Sequence, residues 1–161
     1  MAWARERDVD VGIVRIFNTY GPRLREGDGQ VVSNFIVQAL TGRPLTVHGD
    51  GRHTRSLCYQ SDLVSGLVAM LDDRGVTGPV NLGNPAELTV LELASLLLDA
   101  TGSSSEVVHF EAVKDDPTRR KPDITRAGEL LGWVPEVTLA DRLLSTISWF
   151  ADRLDLGTLL K

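Results

Sequence analysis

Two periods of hydrophobic and polar positions run along this chain. Residues 9–17 are a Val- and Ile-rich run that reads as a buried strand. The run ends in Asn18-Thr19-Tyr20-Gly21-Pro22, which its Gly-Pro punctuation marks as a loop. Residues 23–30 are polar and carry two more glycines, as a surface loop would. Then the period changes: Val32, Phe35, Ile36, Ala39 and Leu40 fall on one face of a helix over 31–40, which Gly42 and Pro44 stop. Residues 45–48 read as a short strand, Gly49-Asp50-Gly51 as a turn, and 54–59 as extended chain. Ser61 or Asp62 is placed to cap a helix whose apolar stripe is Leu63, Val64, Leu67, Val68 and Leu71.

The second half repeats the alternation. A brief strand and turn over 80–84 lead to Thr89-Val90-Leu91-Glu92, a capping box that opens a helix running to about Thr101, with Gly102 at its C-terminal end. Residues 107–110 form a strand and 114–122 a charged, Pro-bounded loop. Asp123 is placed to cap a short helix that ends at Gly132. Thr138 and Asp141 open a last amphipathic helix through Leu143, Leu144, Ile147, Phe150 and Leu154. Strands and helices alternate, so the class is α/β.

Composition narrows the function. The 161 residues hold 17 Lys+Arg against 22 Asp+Glu, a net charge of −5, which argues against a general nucleic-acid binder. No run of about 18 apolar residues exists to span a membrane, and the charged N-terminus has no apolar leader segment. The lone Cys58 excludes an internal disulfide or a Cys-rich zinc site, and a reducing cytoplasm is the expected location. His48, His53 and His109 lack metal-ligand spacing, so no metal is expected. Cys58 sits in an apolar extended run, where a thiol packs rather than reacts.

Three polar clusters carry candidate chemistry, each at a strand end or in a loop, where α/β folds place ligands. In Arg15 to Arg23 a strand delivers Asn18, Thr19 and Tyr20 to its carboxyl end, suited to phosphate, ribose or amide contacts; a plain Asn-Gly turn explains the same residues. In Gly49 to Ser56, Arg52 and Arg55 follow a tight turn, and a guanidinium makes forked bonds to a diphosphate; a solvated hairpin with charged flanks is the alternative. In Asp115 to Asp123, the consecutive cations Arg119, Arg120 and Lys121 suit an anion, or form a solvated charge run paired to Asp115 and Asp116.

Order and spacing add more than any one cluster. The segments RIFNTYGPR (15–23), VVSNFIVQAL (31–40), PLTV (44–47), GDG (49–51), TRS (54–56), NLGNP (81–85), DDP (115–117), PDI (122–124) and LLGW (130–133) span roughly residues 1–150. In that order they resemble the C-terminal half of the extended short-chain dehydrogenase/reductases, in the NAD-dependent epimerase/dehydratase superfamily. Within it they are most similar to the UDP-glucuronate decarboxylases. Thr-Arg-Ser after the turn fits these better than the related 4,6-dehydratases or 4-epimerases, which remain alternatives, as does a non-catalytic UDP-sugar-binding or subunit-interaction module.

The resemblance implies a division of labour. Residues 9–23 and 60–85 would be the last strands of a Rossmann-type NAD domain, and 24–59 and 86–155 a substrate-binding lobe. Asn18 would contact the UDP-sugar, and Thr19 and Arg23 would lie by NAD. Gln30, Val32 and Asn34 would line the nucleotide pocket, with Gln30 standing where the family commonly has Arg. His48 would stack on the base in place of the usual Tyr, Arg55 would meet the diphosphate, and Arg120 would give a second phosphate or ribose contact. Trp3 falls where a substrate-facing Tyr is common. The sequence contains neither a G-x-x-G-x-x-G turn, which would receive the cofactor pyrophosphate, nor a Tyr-x-x-x-Lys acid/base pair: Tyr20 is followed four residues on by Leu24, and Tyr59 by Leu63. No catalytic residue is therefore assigned. The expectation is a chain without the N-terminal Rossmann part, which binds UDP-sugar, is inactive alone, and associates with a second copy or with the missing half through exposed apolar faces.

Overall fold

A computed structural model describes residues 6, 10–73, 75–114 and 117–156. Trp3, Asp115 and Asp116 lie outside the described residues. The architecture is α/β, with short and mostly parallel sheets. β1 (Ile13–Ile16) pairs in parallel with β6 (Pro79–Leu82), and β2 (Thr19–Tyr20) with β5 (Cys58–Tyr59). β3 (Leu45–His48) pairs in parallel with β8 (Val107–Phe110). β4 (Thr54–Ser56) is the middle of a three-stranded sheet, antiparallel to β7 (Glu87–Thr89) on one side and parallel to β9 (Arg119–Arg120) on the other.

The helices are α1 (Val31–Leu40), α2 (Gln60–Asp72), α3 (Val90–Thr101), α4 (Thr125–Leu131) and α5 (Leu139–Arg153). Local chemistry sets several of their ends. Thr89 with Glu92, and Thr138 with Asp141, each form a reciprocal capping box. Gly102 and Gly132 close α3 and α4 in the left-handed conformation. At α1 the cap residue Gln30 makes no side-chain cap bond. Asp28 takes over, its Oδ1 accepting from the Gln30 amide at 2.9 Å and from the Ser33 hydroxyl.

Apolar faces gather into two cores. In the larger, Val32, Phe35, Ile36 and Ala39 of α1 meet Leu45 and Val47 of β3, Leu93 and Leu97 of α3, and Leu143, Ile147 and Phe150 of α5. In the smaller, Met70 of α2 and Val80 and Leu82 of β6 pack with Ala127 and Trp133. α2 approaches that sheet closely at Gly66, where a Cβ would stand 2.8 Å from Leu82 Cδ1.

The expected apolar stripe of α2 is corrected. Its inward residues are Asp62, Gly66 and Met70, spaced by four, with Leu63 and Leu67 partly buried beside them. Val64, Val68 and Leu71 face outward, at 56%, 49% and 80% exposure. The expected cap at Ser61 or Asp62 is also replaced, because the helix begins at Gln60 with no side-chain cap. Asp62 turns inward instead, and its Oδ2 accepts the amides of Glu136 and Val137 at 3.0 and 2.9 Å. Two further boundaries differ: Leu144 lies on the exposed side of α5, and α4 has Ile124 at its cap, with Asp123 Oδ1 accepting from the Thr125 amide at 3.0 Å.

Asp62 therefore ties the smaller core to the segment that leads into α5 of the larger one. Asp62→Ala leaves two amides without their acceptor and is expected to cost about 2–4 kcal/mol of unfolding free energy by urea denaturation. Asp62→Ala unfolding at the wild-type urea midpoint would show that the joint is not held this way.

Candidate functional site

The residues singled out by the motifs come from five separate segments. Asn18 follows β1 at its carboxyl end, with its carbonyl accepting from the Cys58 amide at 2.9 Å. Gln30, Val32 and Asn34 arrive on the first turn of α1 and the residue before it. His48 is the last residue of β3, Arg55 the centre of β4, and Arg120 the end of β9. All seven line one cleft of about 400 Å³.

Arg55 is buried at 7% exposure, and its Nη1 donates to the carbonyls of Thr54 at 2.9 Å and Pro117 at 3.0 Å. Arg55 and Arg120 are direct register partners across β4 and β9, so two guanidinium-bearing residues stand side by side on the cleft wall. At the rim, His48 Nδ1 lies 3.1 Å from the Glu111 carbonyl, which makes Nδ1 the protonated nitrogen. Its ring is 6.0 Å from that of Phe110, with the planes tilted by 43°.

Thr19 and Arg23 are not among the cleft residues. The Thr19 hydroxyl donates to the Phe17 carbonyl at 2.9 Å. Arg23 is exposed and holds φ at +72°, a left-handed conformation that costs a non-glycine residue about 1 kcal/mol or more.

The cation run of the third cluster divides. Side chains alternate along extended chain, so Arg120 faces the cleft while Arg119 and Lys121 face away. The partner of those two is Glu87 on β7. Arg119 Nε and Nη2 donate to its Oε1 and Oε2 at 2.8 and 2.6 Å, Lys121 Nζ lies 3.6 Å from Oε2, and the Thr54 hydroxyl donates to Oε1 at 2.8 Å. The hydrogen bonds from Arg119 and then from Thr54, with the positive charges of Arg119 and Lys121, hold the Glu87 carboxyl down at about 2.

Sequence reasoning did not single out Thr46 or Val113 as cleft residues. Thr46 was within reach of it, since it shares a strand face with His48 two residues on. Glu87 carried no local signal, because its role arises from strand register. Cys58 is fully buried, and loss of hydration pushes its thiol up to about 12. Among the described residues no cluster of three His, Cys, Asp or Glu side chains is placed to hold a metal, and no helix is long and apolar enough to cross a membrane.

A profile of the NAD dependent epimerase/dehydratase family matches residues 1–83, half of the chain. The chain belongs to that family. Among curated members, UDP-glucuronic acid decarboxylase 1 of Xenopus tropicalis is 49% identical over 154 residues, covering 96% of this chain and 36% of that protein. UDP-glucuronic acid decarboxylase 4 of Arabidopsis thaliana is 49% identical over 153 residues, covering 95% and 34%. Among solved family structures, UDP-glucuronic acid 4-epimerase from Bacillus cereus, in complex with UDP-glucuronic acid and NAD, superposes with a TM-score of 0.86 at 28% identity, over 94% of this chain and 48% of that one. An epimerase of Methanothermobacter thermautotrophicus gives 0.89 at 30% identity, over 96% and 47%. The chain thus spans about a third of the length of these curated relatives and about half of the solved chains.

In this epimerase-family chain the Glu87 cluster has a pH signature. A carboxyl held at about 2 in the folded state, against an ordinary 4.5, stabilises fully above 4.5 and loses that contribution as pH falls toward 2. Glu87→Gln is expected to lower the melting temperature by a constant amount between pH 5 and 8, and the gap to wild type should close between pH 4.5 and 2. Thermal denaturation across that range decides it, and a gap undiminished at the acid end would assign the stability to something other than the carboxylate charge.

Proposed function

We propose that this chain is the UDP-sugar-binding part of a UDP-glucuronate decarboxylase, the activity carried by the names of its curated relatives. The observation that carries the reading is the single cleft lined by Asn18, Gln30, Val32, Asn34, His48, Arg55 and Arg120. A diphosphate between Arg55 and Arg120 would take forked, charge-assisted hydrogen bonds from both. Asn18, at the carboxyl end of β1, offers an amide to the sugar. Gln30 and Asn34 line the same cleft, and His48 would supply a ring for the base to stack upon, with less area than a tyrosine would give. Val32 contributes apolar lining.

NAD is the cofactor of the NAD dependent epimerase/dehydratase family. The residues described here fit it poorly. The Thr19 hydroxyl is engaged by Phe17, Arg23 stands apart from the cleft, and the sequence has no glycine-rich turn for the pyrophosphate. The sequence likewise lacks a Tyr-x-x-x-Lys pair for proton transfer at the sugar. Within this reading the chain binds and orients the nucleotide, and redox chemistry at the sugar needs groups from another segment or polypeptide. In this reading residues 9–23 and 60–85 belong with the cofactor-binding part, and 24–59 and 86–155 with the substrate lobe.

Titration calorimetry with UDP, with dTDP as control, tests the site. UDP is expected to bind, and Arg55→Ala and Arg120→Ala should each weaken it by about tenfold or more. Incubation with UDP-glucuronate and NAD should release no UDP-xylose. Equal UDP affinity in both arginine variants would move the nucleotide elsewhere.

The outward stripe of Val64, Val68 and Leu71 supports association with a second polypeptide surface, either another copy or the complementary part of the enzyme. Light scattering is expected to give a mass above the monomer at tens of micromolar, which the Val68→Lys, Leu71→Lys double variant returns to the monomer. A monomeric wild type throughout would remove the argument.

A further inference from the structure

The two arginines of the cleft wall are held by unequal means. Arg55 is central in β4 and paired on both sides. Arg120 rides on β9, an edge strand of only two residues. So short a strand has little hold of its own. Its register sets Arg120 directly opposite Arg55. A fixture beyond the strand itself adds to its hold.

That fixture lies on the other face of the sheet. Glu87 is on β7, at the far side of β4 from β9. Its carboxylate accepts from Thr54 on β4 and, with both oxygens, from Arg119 on β9. Lys121, just beyond β9, adds a second positive group. One half-buried side chain thus reaches from one edge of the sheet to the other, beneath the pair Arg55 and Arg120. Because side chains alternate along β9, holding Arg119 on the outer face holds Arg120 on the cleft face. The backbone bond from the Thr54 amide to the Thr118 carbonyl, at 3.0 Å, completes the attachment.

We propose that Glu87 is a positioning residue of the cleft: by clamping Arg119 across β4 it sets Arg120 beside Arg55, and so controls affinity for a diphosphate that it does not touch. The inference rests on the nucleotide reading of the cleft, but its first half, the clamp, is independent of any ligand. The Glu87–Arg119 pair is a forked, charge-assisted one, and such a pair is lost as a unit when either charge is removed.

The experiment has two arms. In the first, without ligand, hydrogen exchange is followed in peptides covering residues 117–121. Glu87→Gln is expected to speed exchange there by about tenfold, while peptides of α1 and β3 stay as in wild type. The reciprocal Glu87→Arg, Arg119→Glu double variant should restore slow exchange. In the second arm, UDP affinity is measured by calorimetry. Glu87→Gln should weaken UDP by about five- to tenfold, and the reciprocal variant should recover most of it. In an Arg120→Ala background the same Glu87→Gln change should weaken UDP by less than about twofold, because the residue it positions is gone.

Unchanged exchange at 117–121 in Glu87→Gln overturns the clamp whatever the ligand does. Faster exchange with UDP affinity intact overturns the link to the cleft. A full additional loss in the Arg120→Ala background overturns it as well, since Glu87 would then act through the fold at large. If wild type binds no UDP, the nucleotide reading fails, and with it the control of affinity. The exchange arm still decides the clamp by itself.

Discussion

The buried carboxylate of Asp62 is the joint on which the arrangement of this molecule turns. It sits in the first turn of α2, among residues of the smaller core, and accepts two consecutive amides from the chain entering α5. The indole of Trp133 reinforces the joint, donating from Nε1 to the Asp62 carbonyl and the Ser65 hydroxyl, both at 3.0 Å. One residue beyond the pair of amides, the Thr138 carbonyl accepts from the Tyr20 hydroxyl at 3.2 Å. Tyr20 ends β2, whose start adjoins Asn18. Hydrogen bonds thus link the smaller core, through the approach to α5, to the short strand that follows Asn18. Two amides on one carboxyl oxygen satisfy a buried polar group well, which is why an acid tolerates the place of a core residue.

The cleft itself depends on a second constraint, the tight turn at Gly49 to Gly51. Gly51 is buried with φ at +71°, and a Cβ there would stand 2.6 Å from Leu91 Cγ and 2.9 Å from Val47 Cγ1. Only the absent side chain lets β3 turn back closely enough for the start of α3 to bond it, as the Leu91 amide does to the Gly51 carbonyl at 3.2 Å. The turn brings His48, at the end of β3, and Arg55, in β4, onto walls of the same cavity.

Much of this was legible in the sequence where the causes are local. The helix over Val31–Leu40 and the strand Leu45–His48 follow from period alone. Both capping boxes follow from side chains three residues apart, and the αL ends at Gly102 and Gly132 from glycine itself. The candidate site came from a different source: the family resemblance named its residues, and the structure gathers Asn18, Gln30, Val32, Asn34, His48, Arg55 and Arg120 along one cleft. What was not legible depends on partners distant in the chain. The inward face of α2 could not be read from its apolar residues, because Asp62 takes a buried place that a hydrophobic count assigns outward. The separation of Arg119 and Lys121 from Arg120 needs β9 to be extended at that point, and Glu87 needs the register of β7 against β4. Both are settled by pairing, not by neighbours in sequence.

Cys58 has a practical consequence. A thiol fully buried in β5 and pushed up to about 12 presents almost no thiolate to solvent at neutral pH. The native fold is therefore silent toward maleimides and iodoacetamides. A single cysteine introduced on a surface segment would be the only site to take a fluorophore or spin label, with no need to remove the natural one first. The slow appearance of label at Cys58 would, in turn, report opening of the β2–β5 pairing that encloses it, giving a chemical clock for the stability of the strand on which Asn18 is hung.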